Sequence, residues 1–436
     1  MTNRRVRTII AQTRGLRNAL GWTVLGILLF VLGSALSFQV VIQPLLLSLN
    51  AMSKRIFAMV VPSDQIGLAT HFLGGAFLVL GLLFLIVGIR QFFLHLIRTL
   101  NPALGEARVS EVYLRRQKLA QGPKVVALGG GTGLSTLLRG LKVHTSNITA
   151  IVTVTDDGGS SGRLVQDMGM IPPGDIRNCL VALADAEKAM TDLFQHRFKE
   201  AAGSLSGHSM GNLLIAALVD QARGDFEKAV DMASNVLAIR GRVVPSTLER
   251  VGLRAILETG EEVCGETAIV KAGGTIRRIY LDPPDVSPQQ AALDAIAEAD
   301  LICIGPGSVY TSVIPTLLVP GITEALRTSK AIRTYICNVM TQPGESDEFT
   351  ASEHVTAILV NVEKRVFDYV VVNTAVPSQE LLERYLKEGQ HFVDPDVDRI
   401  RATGFRVIPG DFMSESNVVR HDPMRLAAKL IGLLKR

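Results

Sequence analysis

The residues between Lys124 and Arg163 carry the clearest chemistry in the chain. Val125–Leu128 is an apolar run that breaks into Gly129, Gly130, Gly131, Thr132 and Gly133, and a helical pattern begins at Leu134. A second run, Ile148–Val154, passes straight into Thr155-Asp156-Asp157-Gly158-Gly159-Ser160-Ser161-Gly162-Arg163. Glycines at a strand-to-helix turn let several backbone N–H groups face one point, and the helix N-terminus adds its positive end. Such a turn binds phosphate, so the expected ligand is a nucleotide or another phosphorylated molecule.

Other polar positions extend this pattern. Gly305-Pro306-Gly307-Ser308 repeats the phosphate logic after the apolar run Leu301–Ile304. Asn338, Thr341 and Gln342 supply amide and hydroxyl groups suited to a base or sugar. Arg420, in Arg420-His421-Asp422, is a candidate diphosphate clamp, and Tyr385 a candidate stacking ring. Gly207-His208-Ser209-Met210-Gly211 has the spacing of a hydrolase nucleophile elbow, but the small, polar stretch before it is not the strand an elbow requires. His208, Ser209 and Asn212 are better placed lining a site at a helix N-terminus. The first glycine run fails the dinucleotide spacing and lacks the lysine of a P-loop. An NAD site is therefore a distant third reading.

The elements that must position these groups follow an α/β pattern. Strand-type runs recur at Val125–Leu128, Ile148–Val154, Leu301–Ile304, Thr334–Cys337 and Tyr369–Val372, with helical patterns between them. This predicts a Rossmann-like, doubly wound, mostly parallel sheet. The five polar continuations then emerge along one sheet edge, where open α/β sheets bind ligands. Asp175–Arg240 reads as a helical insertion with Asp175 as an N-cap. Val251–Leu281 reads as a small antiparallel meander turning at Thr259-Gly260 and Gly273-Gly274.

The N-terminal hundred residues are of another kind. Trp22–Val41 and Phe72–Ile89 carry no charged side chain, and each is close to the ~20 residues that cross a bilayer. Arginines cluster before the first stretch and after the second, with only Lys54 and Arg55 between them. The positive-inside rule then predicts a two-helix hairpin, spans near 20–46 and 71–92, with both termini and the globular domain cytoplasmic. Residues 1–100 form this membrane region, 101–122 a juxtamembrane linker, and 123–436 the Rossmann-like domain. The net charge of +4 sits largely beside the membrane and does not indicate nucleic-acid binding. Cys179, Cys264, Cys303 and Cys337 form no C-x-x-C pair and read as buried thiols, with no metal signature.

Eight motifs together resemble a known family. They are ALGGGTGLSTLLRGLK (Ala127–Lys142), DDGGSSGR (Asp156–Arg163), PPGDIRN (Pro172–Asn178), LFQHRF (Leu193–Phe198), GHSMGN (Gly207–Asn212), GPGSVYTS (Gly305–Ser312), NVMTQPGE (Asn338–Glu345) and VVRHD (Val418–Asp422). The chain from Lys124 onward is similar to the gluconeogenesis-factor family, which is related to the 2-phospho-L-lactate transferases of deazaflavin cofactor synthesis. The hairpin lies outside that family's core. The resemblance implies binding of a UDP-sugar, notably UDP-N-acetylglucosamine, and a role in directing carbon into cell-wall precursors and in cell shape. It implies a partner in amino-sugar synthesis; a homo-oligomer is also expected. It places the phosphate loop on Gly129–Gly133, the acidic loop on Asp156 and Asp157, and sugar-nucleotide contacts on Asn212, Asn338, Tyr385 and Arg420. The matched motifs add Ser160, Arg163, Asn178, His208, Gly305, Gly307 and Ser308 to the expected site. The alternative is a transferase, in which Asp156 and Asp157 hold Mg2+ against a diphosphate and Arg163 or Arg420 neutralises developing charge. Asp156, Asp157 and His208 are then the catalytic candidates.

Overall fold

The computed structural model describes residues 39–100, 114, 117–185, 188–415 and 418–435. The chain divides into two units, Met1–Val109 and Ser110–Arg436, a boundary inside the expected linker. In the first unit, helices Gln39–Phe57 and Ile66–Leu100 contact one another. The expected first span, 20–46, lies mostly outside the described residues. Lys54 and Arg55 fall in the last turn of the Gln39–Phe57 helix rather than in a loop. Among the described residues no single helix is long and apolar enough to cross a membrane. Many apolar side chains described in this unit are nevertheless open, with Leu47, Phe72 and Phe84 at 63%, 72% and 75% exposure.

The second unit is built on strands β1 (Val125–Gly129), β2 (Ile148–Val152), β3 (Arg242–Pro245), β4 (Gly252–Leu257), β5 (Glu262–Cys264), β6 (Ile276–Asp282), β7 (Leu301–Ile304), β8 (Ile332–Ile336), β9 (Tyr369–Asn373), β10 (Arg406–Gly410), β11 (Met413–Glu415) and β12 (Val419–His421). Seven of them form one sheet in the order β10-β9-β8-β7-β1-β2-β3, and every neighbouring pair is parallel. The Rossmann-like reading therefore holds. The central strands read as unbroken apolar runs because helices cover both faces: all of Val125–Gly129 and Leu301–Ile304 is buried.

The chain leaves β1 toward β2 and β3, then returns to β7 on the other side of β1. Strand order reverses between β1 and β7, so the loops after these two strands diverge and leave a crevice. Both loops are glycine turns. β3 and β10, which were not expected, are the two edge strands; each carries a proline, tolerable where one side of the ladder is unpaired.

Three sequence expectations need correction. The insertion after Val251 is antiparallel but not a meander: its order is β5-β4-β6, with helix Glu266–Ala272 between β5 and β6. Asp175 is not an N-cap, because its helix spans Gly174–Leu183 with Pro173 at the cap. In addition, Cys264 is exposed, whereas the other three cysteines are buried.

Candidate functional site

A cavity of about 340 Å³ opens at the crevice between β1 and β7. One wall is the turn Gly131-Thr132-Gly133, which starts helix Gly131–Leu141, and the other is Pro306-Gly307-Ser308. The two turns touch so closely that a Cβ on Gly133 would lie 2.5 Å from the Pro306 carbonyl oxygen. Gly131 has φ +65, a left-handed conformation natural to glycine. Gly130, at the N-cap of the Gly131–Leu141 helix, offers no capping side chain, and the helix starts at the cavity wall.

Behind this turn sits Asp175. A Cβ on Gly130 would come within 2.3 Å of its Oδ2, and the Gly131 backbone N–H donates to its carboxylate. Burial raises the Asp175 pKa to about 6, the Asp156 charge adding to the effect and the Gly131 hydrogen bond opposing it. The phosphate turn is thus braced from below by a buried acid, and one of its N–H groups is already engaged.

Asn338, Thr341 and Gln342 line the cavity too, and their side chains are held by hydrogen bonds to its walls. Asn338 Nδ2 donates to the Gly307 carbonyl at 2.9 Å while its Oδ1 accepts from Gly307 N–H at 3.1 Å. Gln342 Nε2 donates to Ser308 Oγ at 2.7 Å, and Thr341 Oγ1 accepts from His391 N–H at 2.8 Å. These residues hold the second glycine turn open.

Tyr385 and strand β12 contribute a further part of the lining. Helix Gln379–Lys387 has no buried residue. It leans through Leu381 and Tyr385 on a small apolar cluster of Val339, Met340, Met413 and Val419, separate from the main core. Tyr385 Oη accepts from Val419 N–H at 2.8 Å. Arg420 is exposed at the cavity and has no hydrogen bond or ion pair among the described residues. β12 is set in place by the final helix, Pro423–Gly432, which Asp422 caps by accepting from Met424 and Arg425 N–H. That helix packs so tightly on Gly131–Leu141 that a Cβ at Gly140 would lie 1.9 Å from the Pro423 oxygen.

The remaining expected residues lie outside that cavity, in a polar cluster whose acidic part we call the acidic chamber. Asp156 Oδ1 accepts from Gly158 N–H at 2.9 Å. Asp157 Oδ1 accepts from Thr267 N–H at 2.9 Å and from Thr267 Oγ1 at 2.6 Å, clasping the start of helix Glu266–Ala272. Ser160 Oγ lies 2.9 Å from His208 Nδ1 and accepts from Asn212 Nδ2 at 3.0 Å, all three residues being buried. Burial and the Arg163 charge lower the His208 pKa. Arg163 donates to the Ser206 carbonyl at 2.6 Å, and Asn178 accepts from Arg177 at 2.8 Å.

Sequence reasoning did not single out two members of this chamber. Burial raises the Glu266 pKa to about 9, with repulsion from Asp156, Asp175, Glu345 and Asp157 adding to it. Burial raises Glu345 to about 7 against hydrogen bonds from Thr311, Tyr310 and Ser308. Glu345 ends the motif NVMTQPGE, which offered a signal; Glu266 lies in the insertion and offered none. Among the described residues no three His, Cys, Asp or Glu side chains are arranged to hold a metal ion.

Of the expected residues, Gly131, Thr132, Gly133, Gly307, Ser308, Asn338, Tyr385 and Arg420 line the cavity. Gly129, Gly130 and Gly305 lie just behind it, and Asp156, Asp157, Ser160, Arg163, Asn178, His208 and Asn212 lie outside its lining. Residues 125–413 match the model of the family described as 2-phospho-L-lactate transferase CofD. The chain belongs to that family. Within it, the chain is 47% identical over 318 residues to the gluconeogenesis factor of Bacillus subtilis, covering 73% of this chain and all of that protein. It is 47% identical over 308 residues to the gluconeogenesis factor of Halalkalibacterium halodurans, covering 70% and 95% respectively. The crystal structure of a upf0052-family protein from Bacillus halodurans superposes with a TM-score of 0.68 at 46% identity, over 71% of this chain and 99% of that one. The chain is thus a gluconeogenesis-factor member of the CofD family with an additional N-terminal segment.

Proposed function

We propose that the globular unit is a sensor of a UDP-sugar, with UDP-N-acetylglucosamine as its ligand, that links carbon supply to cell-wall precursor synthesis and cell shape. The observation that carries this reading is the cavity at the strand-order reversal. Two facing glycine turns and the unpartnered Arg420 suit a diphosphate, and Tyr385 offers a ring for a base or sugar. Tyr385 and Arg420 belong to an element with its own small core. Ligand-dependent docking of that element is how occupancy reaches a partner, an enzyme of amino-sugar synthesis. The N-terminal unit anchors the sensor to the membrane as a two-span hairpin with both termini in the cytoplasm; its open apolar side chains and flanking arginines support this. The sensor works as a homo-oligomer.

The test is calorimetric titration of the full chain, in detergent micelles, with UDP-N-acetylglucosamine, UDP-glucose, GDP and NAD. UDP-sugar-selective binding without product is the expected result. Binding of GDP alone, or turnover, moves the assignment to the second reading. That second reading is a transferase related to the family for which the matching model is named. It rests on Ser308, which lines the cavity and also hydrogen-bonds to Glu345 of the acidic chamber.

A further inference from the structure

Opposite the cavity, the main sheet has the edge at which its parallel strands begin. Charge is spread unevenly along it. Toward β1 and β3, Lys124 pairs with Glu298 at 2.5 Å and Arg240 with Asp185 at 2.5 Å, and Asp294 and Asp300 add negative charge. Toward β8, β9 and β10 cations prevail. Arg327 and Lys330 lead into β8, Lys364 and Arg365 into β9, and Arg401 into β10, which Arg406 opens; all are exposed. The acids there are already engaged. Glu324 lies 2.8 Å from Arg327 and 3.8 Å from Lys364, while Asp398 pairs with Arg401, Asp368 with Arg333 and Glu363 with Arg278. Lys330, Arg365 and Arg406 have no ion pair among the described residues.

One cation at each helix C-terminus would complement the helix dipole. Here the surplus is also held in place, and by uncharged groups. The Arg365 guanidinium lies 4.3 Å from the Phe405 ring centroid and donates to the Gly404 carbonyl at 3.0 Å. Arg406 donates to Tyr369 Oη at 2.9 Å and stands 5.5 Å from that ring. Rings and carbonyls orient a guanidinium without neutralising it. The positive charge is thus fixed in position and left for an anion outside the fold.

The polypeptide also reaches the sheet at this edge. Just before β1, the Leu119 carbonyl accepts from Ser146 N–H at 3.0 Å, and Asn147 Nδ2 donates to the Ala120 and Gly122 carbonyls at 2.9 and 2.7 Å. The segment ahead of β1 is therefore pinned beside the starts of β1 and β2. On the membrane-anchor reading, the tether leaves from the same sheet edge that carries the cations.

Building on that reading, we propose that the edge bearing Lys330, Lys364, Arg365 and Arg406 docks on the anionic lipid headgroups of the bilayer that anchors the chain. The cations span the starts of three adjacent strands, about 10 Å at the usual strand spacing. That spread suits a sheet of headgroups better than one soluble phosphate. A Lys or Arg beside an anionic leaflet favours the docked state roughly fivefold each, and salt screens the effect. Docking by this edge turns the cavity, on the opposite edge, toward soluble ligands.

The test is lysine acetylation of the full chain in nanodiscs, read by mass spectrometry. Discs of phosphatidylcholine alone are compared with discs containing a third phosphatidylglycerol. Lys330 and Lys364 should be labelled several-fold more slowly in the anionic discs and recover in high salt. Lys228 and Lys387, away from the patch, should change far less. Replacing both arginines, Arg365→Ser with Arg406→Ser, should abolish the protection, whereas Arg365→Lys with Arg406→Lys should keep it; melting temperatures confirm that both variants fold. Equal labelling in the two discs overturns the proposal, as does slowing shared equally by Lys228 and Lys387. Protection that survives the serine pair also overturns it. So does equal protection by inorganic pyrophosphate in phosphatidylcholine discs, which would make the patch a soluble-anion site. A chain that does not incorporate into discs refutes the membrane anchor, and this inference falls with it. A chain that incorporates with Lys330 and Lys364 unprotected sinks the inference alone.

Discussion

Two polar compartments lie side by side along the same sheet edge, and their electrostatics are opposite. The cavity between β1 and β7 is lined by backbone amides, a free arginine and a neutral histidine. The chamber beside it holds Asp156, Asp175, Glu266 and Glu345, three of them with pKa values raised by burial. The thin partition is the Gly129–Gly133 turn, which Asp175 braces from the acidic side. A glycine turn alone would accept phosphate from several directions. A layer of buried acids behind it disfavours an anion on that side, so the cavity face is the favoured one.

Replacing Arg420 with Ala removes the unpartnered cation at the cavity and should weaken UDP-sugar binding by about 1.5–3 kcal/mol, roughly ten- to hundredfold. Thermal stability should stay near the wild-type value, since no folded-state contact is lost among the described residues. Unchanged affinity in calorimetry would mean the diphosphate does not sit in this cavity.

Gly133→Ala tests the contact between the two turns. Its new Cβ would meet the Pro306 oxygen at 2.5 Å, so the turns must part at a cost of about 1–3 kcal/mol. Both melting temperature and ligand affinity should drop. A loss of stability without a loss of affinity would show that the spacing of the turns serves folding only.

These turns were also the most legible part of the chain. A glycine run after an apolar strand has one physical explanation wherever it occurs, and β1 and β7 carry it plainly. The edge strands β3 and β10 were missed because each contains proline and begins with an arginine, which interrupts the apolar run seen in the central strands. The antiparallel insertion was recognised, but its strand order was not, since order depends on pairing across the intervening Glu266–Ala272 helix. Asp175 looked like a helix cap because an acid after Pro-Gly often is one. Only the three-dimensional packing shows it buried beneath Gly130. The acidic chamber was half visible: Asp156 and Asp157 stand in a conspicuous loop, but Glu266 joins them through tertiary contact alone.

The chamber makes its own prediction through pH. Glu266 rises from 4.5 to about 9 and Glu345 from 4.5 to about 7 on folding. Each folded carboxyl therefore holds a proton that the unfolded chain has released. Stability is fully present below the unfolded values and is lost as pH rises through the folded ones. Buried His421, His354 and His208 work the other way, but only below about pH 6.5, where the unfolded histidines titrate. Denaturant melts between pH 6.5 and 9 should thus show falling stability, and Glu266→Gln should flatten the slope. A slope unaffected by that substitution would place the proton elsewhere.

Tyr385 offers the smallest effect and the finest discrimination between the rigid turns and the separately packed element beside them. Its hydroxyl accepts from Val419 N–H, fixing helix Gln379–Lys387 over the strand that carries Arg420 and His421. Tyr385→Phe keeps the ring and its place in the small apolar cluster but leaves the Val419 amide without its acceptor, a loss of about 0.5–1.5 kcal/mol. Because that cluster is separate from the main core, the loss should loosen this element and leave the sheet untouched. Hydrogen exchange should quicken at Val419 and along Gln379–Lys387, with the Gly131–Leu141 helix unchanged. If ligand docks the element, saturating UDP-N-acetylglucosamine should restore protection in the variant, and affinity should fall only a fewfold. Equal exchange in variant and wild type, with and without ligand, would mean the element is as fixed as the turns and carries no signal.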